Sequence, residues 1–424
     1  MGSKLQERLA MGKSKVTRAE RRRAEKEGLK LLRSKYFFNQ FLRTLKKVGL
    51  VGEEQNALVL LIVVVSRILP RPLNAFVKGR SSSGKNWLLT RVLSLMPRSA
   101  VAEITSASDR AWNYSGSDFR HKVVYIQEQN EAAGTIDPIR LLISEGKLIR
   151  IVTRFEGGKR VTKKYVARGP VAAISTSTKN RLRIDDENRH VSIWVDESPE
   201  QTRRIVEAYT QTGEPLGRKE RRIWHFAHRL LEKKIGTEVT FPTWFSEIAK
   251  RLFVDDLRVR RYYPAFVEAC RTVALIRSFQ SDRRSSKHGQ VMVDFADFAV
   301  TALIFDSVFV ESLHLNKTAG EATRRLVEEI AARESRFVDV RDIMKALKVS
   351  KDQAYSKLRY AERVGVIRRA NKPERSNRKL FLPAPRPRFV PDPEKLFGKL
   401  KGLNDKVCFV HPLTGEEIVY RREE

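Results

Sequence analysis

The sequence predicts an α/β protein built on a parallel sheet, followed by a helical region and a C-terminal helix–turn–helix with a β-wing. Three observations predict it. A strand-like run, a glycine- and serine-rich turn and an amphipathic run follow one another over residues 74–93. Short apolar runs of strand length recur at 102–104, 122–126, 171–174 and 191–195, spaced by the long connections that parallel strands need. Helical periodicity takes over from Gln201, and the pattern closes with two helices and two short strands between Phe337 and Leu382.

The first element to justify is the turn. Gly79-Arg80-Ser81-Ser82-Ser83-Gly84-Lys85-Asn86 lies between the strand Asn74-Ala75-Phe76-Val77 and the helix that starts near Trp87. Strand, glycine-rich loop and helix together form the context of a phosphate-binding loop. Gly79 and Gly84 let the backbone curl so that the amides of Ser81, Ser82, Ser83 and Lys85 face a phosphate. The helix N-terminus adds positive potential. Lys85 reaches the β- and γ-phosphates as a mobile point charge. The residue after this lysine normally offers a hydroxyl to Mg²⁺. Here it is Asn86, whose amide oxygen can also meet a hard cation.

Composition narrows the partner. The chain has 424 residues, 41% of them hydrophobic, and a net charge of +33. Its length allows two to four domains. Such a charge points to a polyanion, most simply nucleic acid, rather than a small metabolite. Two cysteines, Cys270 and Cys408, supply neither a disulfide framework nor a zinc site and fit a reducing interior. The apolar run 57–65 is shorter than the ~20 residues that span a bilayer, and it reads as a buried helix.

Taken in order, residues 1–48 form a basic helical arm, with fifteen Lys or Arg against four acids up to residue 47. The arm is either a nucleic-acid contact or a solvated helix. An ATP-handling core follows over 49–206. In it, Lys122-Val123-Val124-Tyr125-Ile126-Gln127-Glu128 is apolar and then abruptly polar, the form of a Walker B strand. Glu128 stands where a carboxylate activates the attacking water, and Gln127 takes the usual aspartate position as a second candidate metal contact. Runs at 148–154 and 163–166 flank Gly157-Gly158, a strong hairpin signal, and put Lys159 and Arg160 at the tip. Val171-Ala172-Ala173-Ile174 ends in Ser175-Thr176-Ser177-Thr178. A polar residue there faces the crevice of an α/β sheet, and Thr176 is assigned to sense the γ-phosphate or the attacking water. Arg189, before the strand 191–195, is a candidate arginine finger, with a surface ion pair to Asp185 or Asp186 as the alternative.

Residues 207–335 read as a helical lid and linker, and 336–383 as a winged helix, with Ser350 capping its second helix. That helix carries Lys351, Lys357 and Arg359 toward DNA. Residues 384–424 are a tail with a small hairpin around Thr414-Gly415.

The loop, the Val-Tyr-Ile-Gln-Glu strand, the hairpin before Ser-Thr-Ser-Thr and the Glu-Asn-Arg ending at Arg189 resemble an AAA+ helicase over roughly residues 50–385. The likeness is to replicative helicases of phages, plasmids and chromosomal islands, in the superfamily-3 and MCM-like group. It implies an AAA+ P-loop NTPase core with a pre-sensor-1 β-hairpin, a helical lid and a C-terminal winged helix. It implies ATP and Mg²⁺ held between subunits of a homo-hexameric ring. Lys85 and Glu128 would lie on one side, with Arg189 entering from the neighbour. The hairpin 154–163 would meet single-stranded DNA in the channel, and the winged helix would meet duplex. A sensor-2 arginine is expected among Arg258, Arg260 and Arg261. The setting implied is the cytoplasm of a bacterial host, with a primase as a further partner and no membrane. Two alternatives stand beside helicase activity. One is an ATPase that loads or regulates a primase or transposase. The other is a DNA-binding initiator that does not hydrolyse ATP.

Overall fold

The computed structural model describes residues 17–104, 118–127, 136–157, 159–178, 189–209, 216–252, 257–280, 289–313, 318–334, 336–363, 366–370, 379–383 and 388–422. They fall into two compact units: residues 1–308 with 391–424, and residues 309–390.

The first unit opens on three helices. α1 (Arg18–Arg33) is capped by Thr17, whose hydroxyl accepts from the Glu20 amide while Glu20 accepts from the Thr17 amide. α2 (Phe37–Lys47) buries Phe37, Phe38, Phe41, Leu42 and Leu45 on one face. α3 (Glu54–Ser66) is the apolar run, and every side chain from Ala57 to Ser66 is buried. A helix apolar all round has no solvent face to offer, so it sits at the centre of the core.

The sheet follows. β1 (Ala75–Lys78) leads through the loop into α4 (Lys85–Ser94); β2 (Val101–Ile104) and β3 (Lys122–Ile126) come next. α5 (Ile136–Glu145) precedes a hairpin of β4 (Lys147–Glu156) and β5 (Lys159–Arg168), and then come β6 (Val171–Ser177) and β7 (Val191–Trp194). The five-stranded sheet has the order β2-β3-β6-β1-β7, with every pairing parallel. β-Branched and apolar residues covered on both faces, as in Ala75-Phe76-Val77 and Val171–Ser177, are what a parallel sheet requires. The architecture is thus mixed α/β around a parallel sheet.

The hairpin is antiparallel from Lys147↔Arg168 out to Glu156↔Lys159. Gly157 adopts φ +60°, which a tight two-residue turn needs. Leu148 and Ala167 root the hairpin in a cluster with Ile139 and Leu142 of α5 and Val124 of β3. Its outer part carries no such cover, and Ile151 and Phe155 are 69% and 70% exposed.

α6 (Pro199–Tyr209), α7 (Arg218–Glu232), α8 (Val259–Arg277) and α9 (Phe295–Leu313) continue the chain. Between them β8 (Val239–Thr240) pairs in parallel with β9 (Val291–Met292). α7 packs along α1, and a Cβ at Gly28 would lie 3.0 Å from the Ala227 amide nitrogen and 3.1 Å from the Ile223 carbonyl. Only glycine lets the two backbones approach this closely. Trp224 of α7 meets the rings of Phe37 and Phe41. α8 packs on α3.

In the second unit, α10 (Thr318–Glu334), α11 (Val340–Leu347) and α12 (Lys351–Arg363) share a core with β10 (Ile367–Arg369) and β11 (Phe381–Pro383). Asp339 caps α11 and is bonded reciprocally with Asp342. Lys348 at φ +52° ends that helix, and Ser350 with Gln353 forms the same reciprocal pair at the start of α12. β10 and β11 pair antiparallel, and Val338 bridges to Phe381. The ring centroids of Phe309 and Phe389 lie 4.9 Å apart with the planes tilted by 46°, so the chain enters and leaves this unit at neighbouring points.

The returning segment carries α13 (Pro393–Phe397) and a hairpin of β12 (Lys406–Val410) and β13 (Glu417–Arg421). It docks on α2. Asn39 donates to the carbonyls of His411 (3.1 Å) and Pro412 (3.0 Å), and Glu417 accepts from the Tyr36 hydroxyl (3.2 Å) and pairs with Lys35. Phe397 and Tyr420 pack on Phe295.

Among the described residues no helix is long and apolar enough to cross a membrane. Residues 105–117 and 371–378 lie outside the described residues.

Candidate nucleotide site

The loop is built by three backbone positions in the left-handed region: Gly79 (φ +156°), Ser82 (φ +64°) and Gly84 (φ +90°). At Gly79 a Cβ would come within 2.5 Å of Val195 Cγ2 and 2.7 Å of Ser83 Oγ, so no larger residue fits. Gly84 caps α4, whose first-turn amides have no acceptor inside the helix and face the loop. Lys85 is buried under the loop. Its ammonium donates to the carbonyls of Gly79 (2.7 Å) and Arg80 (2.5 Å), with Ser83 Oγ at 3.5 Å. Ser81, Ser82 and Asn86 are exposed at the loop surface.

The strand order decides what lies beside the loop. β6 is inserted between β1 and β3, with Val77 opposite Thr176 and Lys78 opposite Ser177. The Gly79 amide donates to the Ser177 carbonyl at 3.3 Å. Thr176, fully buried, therefore stands next to the strand that feeds the 79–86 loop. From β3, the buried Tyr125 hydroxyl donates to Asn86 Oδ1 at 3.3 Å, and Gln127 donates to Glu103 of β2 at 2.7 Å. Glu128 lies outside the described residues. Among the described residues no cluster of three or more His, Cys, Asp or Glu side chains could hold a metal ion.

Two carboxylates that the sequence reading did not single out belong to this neighbourhood. Glu103 partners Gln127. Glu197, just beyond β7, accepts from the Arg80 amide and pairs with the Arg80 guanidinium at 3.4 Å, so it pins the outer limb of the loop. The half-buried Glu53 accepts from the Asp196 amide (2.8 Å) and from Asn56 (2.6 Å), which fixes the segment that carries Glu197. Burial raises the Glu53 carboxyl above its usual range. An acid directly after a buried strand, as in Val195-Asp196-Glu197, was the available signal. A third residue, Lys78, is fully buried, with its ammonium 5.2 Å from the Trp194 ring.

Arg189 stands at the opposite end of the strands from Lys85. β7 starts opposite Ala75, so Arg189 lies where β1 begins, while Lys85 follows where β1 ends. Four strand residues separate those ends by about 13 Å. Arg189 donates to Ser144 Oγ, and its Nε has no hydrogen-bond partner among the described residues. It lines a cleft of about 680 Å³ together with Arg71, Arg261 and Glu268. Arg261 thus shares the Arg189 end. Arg258 and Arg260 flank the start of α8. The alternative partners Asp185 and Asp186 lie outside the described residues.

Lys159 and Arg160 are exposed at the hairpin end, and the Arg160 guanidinium lies 5.4 Å from the Phe155 ring. From Lys147 to Arg168 the hairpin holds eight Lys or Arg and one acid, Glu156. In the second unit, Lys351, Lys357 and Arg359 are exposed on α12, whose Ala354, Leu358 and Ala361 face the core.

The parallel sheet with a strand–loop–helix unit near its middle is consistent with a P-loop NTPase fold. No family model matches the chain, and no curated protein matches it. Among solved structures it is similar to a full-length MCM homolog from Methanopyrus kandleri, at 12% identity and a TM-score of 0.40. That likeness covers 70% of this chain, and the chain spans 62% of the length of the homolog.

Proposed function

We propose that the chain is an ATP-driven DNA helicase of the AAA+ type that works as a ring, six-fold by the resemblance, in the replication of a mobile element. The observation that carries this reading is one core that holds both a phosphate loop closed on Lys85 and a long basic hairpin. Lys85 and the α4 amides bind the triphosphate, Thr176 senses its terminal group, and Glu128 activates water. Mg²⁺ travels with the nucleotide. Asn86 and Gln127 offer it neutral oxygens, which suits an ion held mainly by phosphates and water. Lys159 and Arg160 grip single-stranded DNA, and the second unit acts as a winged helix on duplex.

Arg189 acts in trans in this reading, because the loop of its own subunit lies at the opposite end of the strands. Arg189→Ala is expected to bind ATP and lose its turnover. Mixed with Lys85→Ala, it should regain activity at interfaces that join an intact Lys85 to an intact Arg189. Mixed assemblies as inactive as the separate variants would make Arg189 a structural residue.

One observation favours a second reading, that of an initiator that binds ATP without hydrolysing it. The residue expected to face the metal, Asn86, accepts from Tyr125 instead. Tyr125→Phe separates the two, since it frees Asn86 without altering the strand.

The winged-helix assignment has its own test. Residues 391–424 pack with the first unit, so truncation at 338 would damage both units. Replacing 318–387 by a short flexible linker is the cleaner variant. It should keep basal ATP turnover and lower the salt slope of duplex affinity by about one per phosphate contact removed. An unchanged slope would assign the second unit to protein contacts.

A further inference from the structure

The geometry points to α1 as a rail for duplex nucleic acid, separate from the hairpin and from the second unit. At 100° per residue, Arg22, Arg23, Lys26, Lys30 and Arg33 fall on one outward stripe. Ala24, Gly28 and Leu32 fall opposite, buried toward α7. The three acids of the helix lie off the stripe. Two of them are turned to α7: Glu20 is 3.5 Å from Arg222, and Glu25 is 3.9 Å from Lys233. Among the described residues no carboxylate pairs with Arg22, Arg23, Lys26 or Lys30, and all four are exposed.

The fold keeps these five cations in a straight row against their mutual repulsion. A capping box secures the start of the helix, and Gly28 seats it on the α7 backbone. From Arg22 to Arg33 the helix rises about 16 Å, or about one charge per 4 Å. Each strand of a DNA duplex carries one phosphate per 3.4 Å. A rigid row of that density suits a rigid polyanion better than a flexible single strand. The apolar side of α1 is already covered by α7, so the helix has no face to insert into a lipid surface.

The inference rests on the reading that the chain binds nucleic acid, and its test separates the two. Arg22, Arg23, Lys26 and Lys30 are changed together to glutamine in the full chain, which keeps helix propensity and leaves the α7 contacts intact. Affinity for a blunt duplex, for an oligo-dT strand and for anionic phospholipid vesicles is measured across a salt series. The rail predicts a duplex slope smaller by roughly three to four, little change on oligo-dT, and the same melting temperature and ATP turnover as the parent. A parent that binds no nucleic acid overturns both the reading and the rail. A parent that binds duplex, with a variant of equal slope, overturns the rail alone. So does a loss confined to oligo-dT or to vesicles.

Discussion

Lys85→Ala is expected to abolish ATP binding or hydrolysis while leaving the sheet intact. The ammonium satisfies two carbonyls, Gly79 and Arg80, that face inward at 2.7 and 2.5 Å. In the proposed reading a nucleotide would replace those carbonyls with phosphate oxygens that carry full charge. The lysine thus gains far more from the phosphate than it loses from the carbonyls. A hydrogen bond to a charged group contributes about 1.5–3 kcal/mol, so binding alone should weaken on the order of 10- to 100-fold. Removing a donor aimed at developing negative charge costs a further factor of about 10²–10³ in turnover. Titration with a fluorescent ATP analogue and a steady-state assay measure the two parts. The fold should hold, since the pairing of β1 with β6 and β7 does not involve the lysine side chain and Arg80 is exposed. Affinity and turnover equal to the parent would remove the nucleotide site.

The second large effect is expected at the hairpin. Lys159→Ala with Arg160→Ala should keep assembly and basal ATP turnover, because both side chains are exposed and remote from the loop in sequence and pairing. DNA-stimulated turnover should fall to the basal level, and strand displacement should drop on the order of 100-fold, two charge-assisted contacts being lost. The salt slope on a single strand should shrink by about 1.4. The hairpin is suited to this work by its construction. Leu148 and Ala167 hold its root against α5, while ten paired positions carry its tip clear of the core. In the proposed reading such a rooted hairpin would carry movement of the sheet to its end. A forked duplex unwound by the double variant at the parent rate would show that the tip is not the grip.

Much of this arrangement was legible because local pattern encodes burial. The run at 57–65, with no polar face, had to become a helix covered on every side, and α3 is one. Gly157-Gly158 between two cationic runs set both the turn and the register of β4 and β5. The glycines of the phosphate loop fall at backbone angles that other residues resist. What escaped was every contact between distant parts of the chain. Glu197 reaches Arg80 across 117 positions, and Asn39 reaches His411 across 372. Periodicity says that a face is covered but not by what, so the docking of the C-terminal hairpin on α2 had no local sign. The separation of Lys85 from Arg189 depends on β7 lying parallel beside β1, which sets the start of one strand against the start of the other. Single strands of similar apolar character do not announce their neighbours.

The ATP turnover of the intact chain, with and without single-stranded DNA, tests the central claim most directly. The account predicts measurable hydrolysis that rises when the strand is added and disappears in Lys85→Ala. A chain that neither binds nor hydrolyses ATP, with DNA or without it, would contradict the assignment of residues 79–86 as a working phosphate loop, and the motor reading would fall with it.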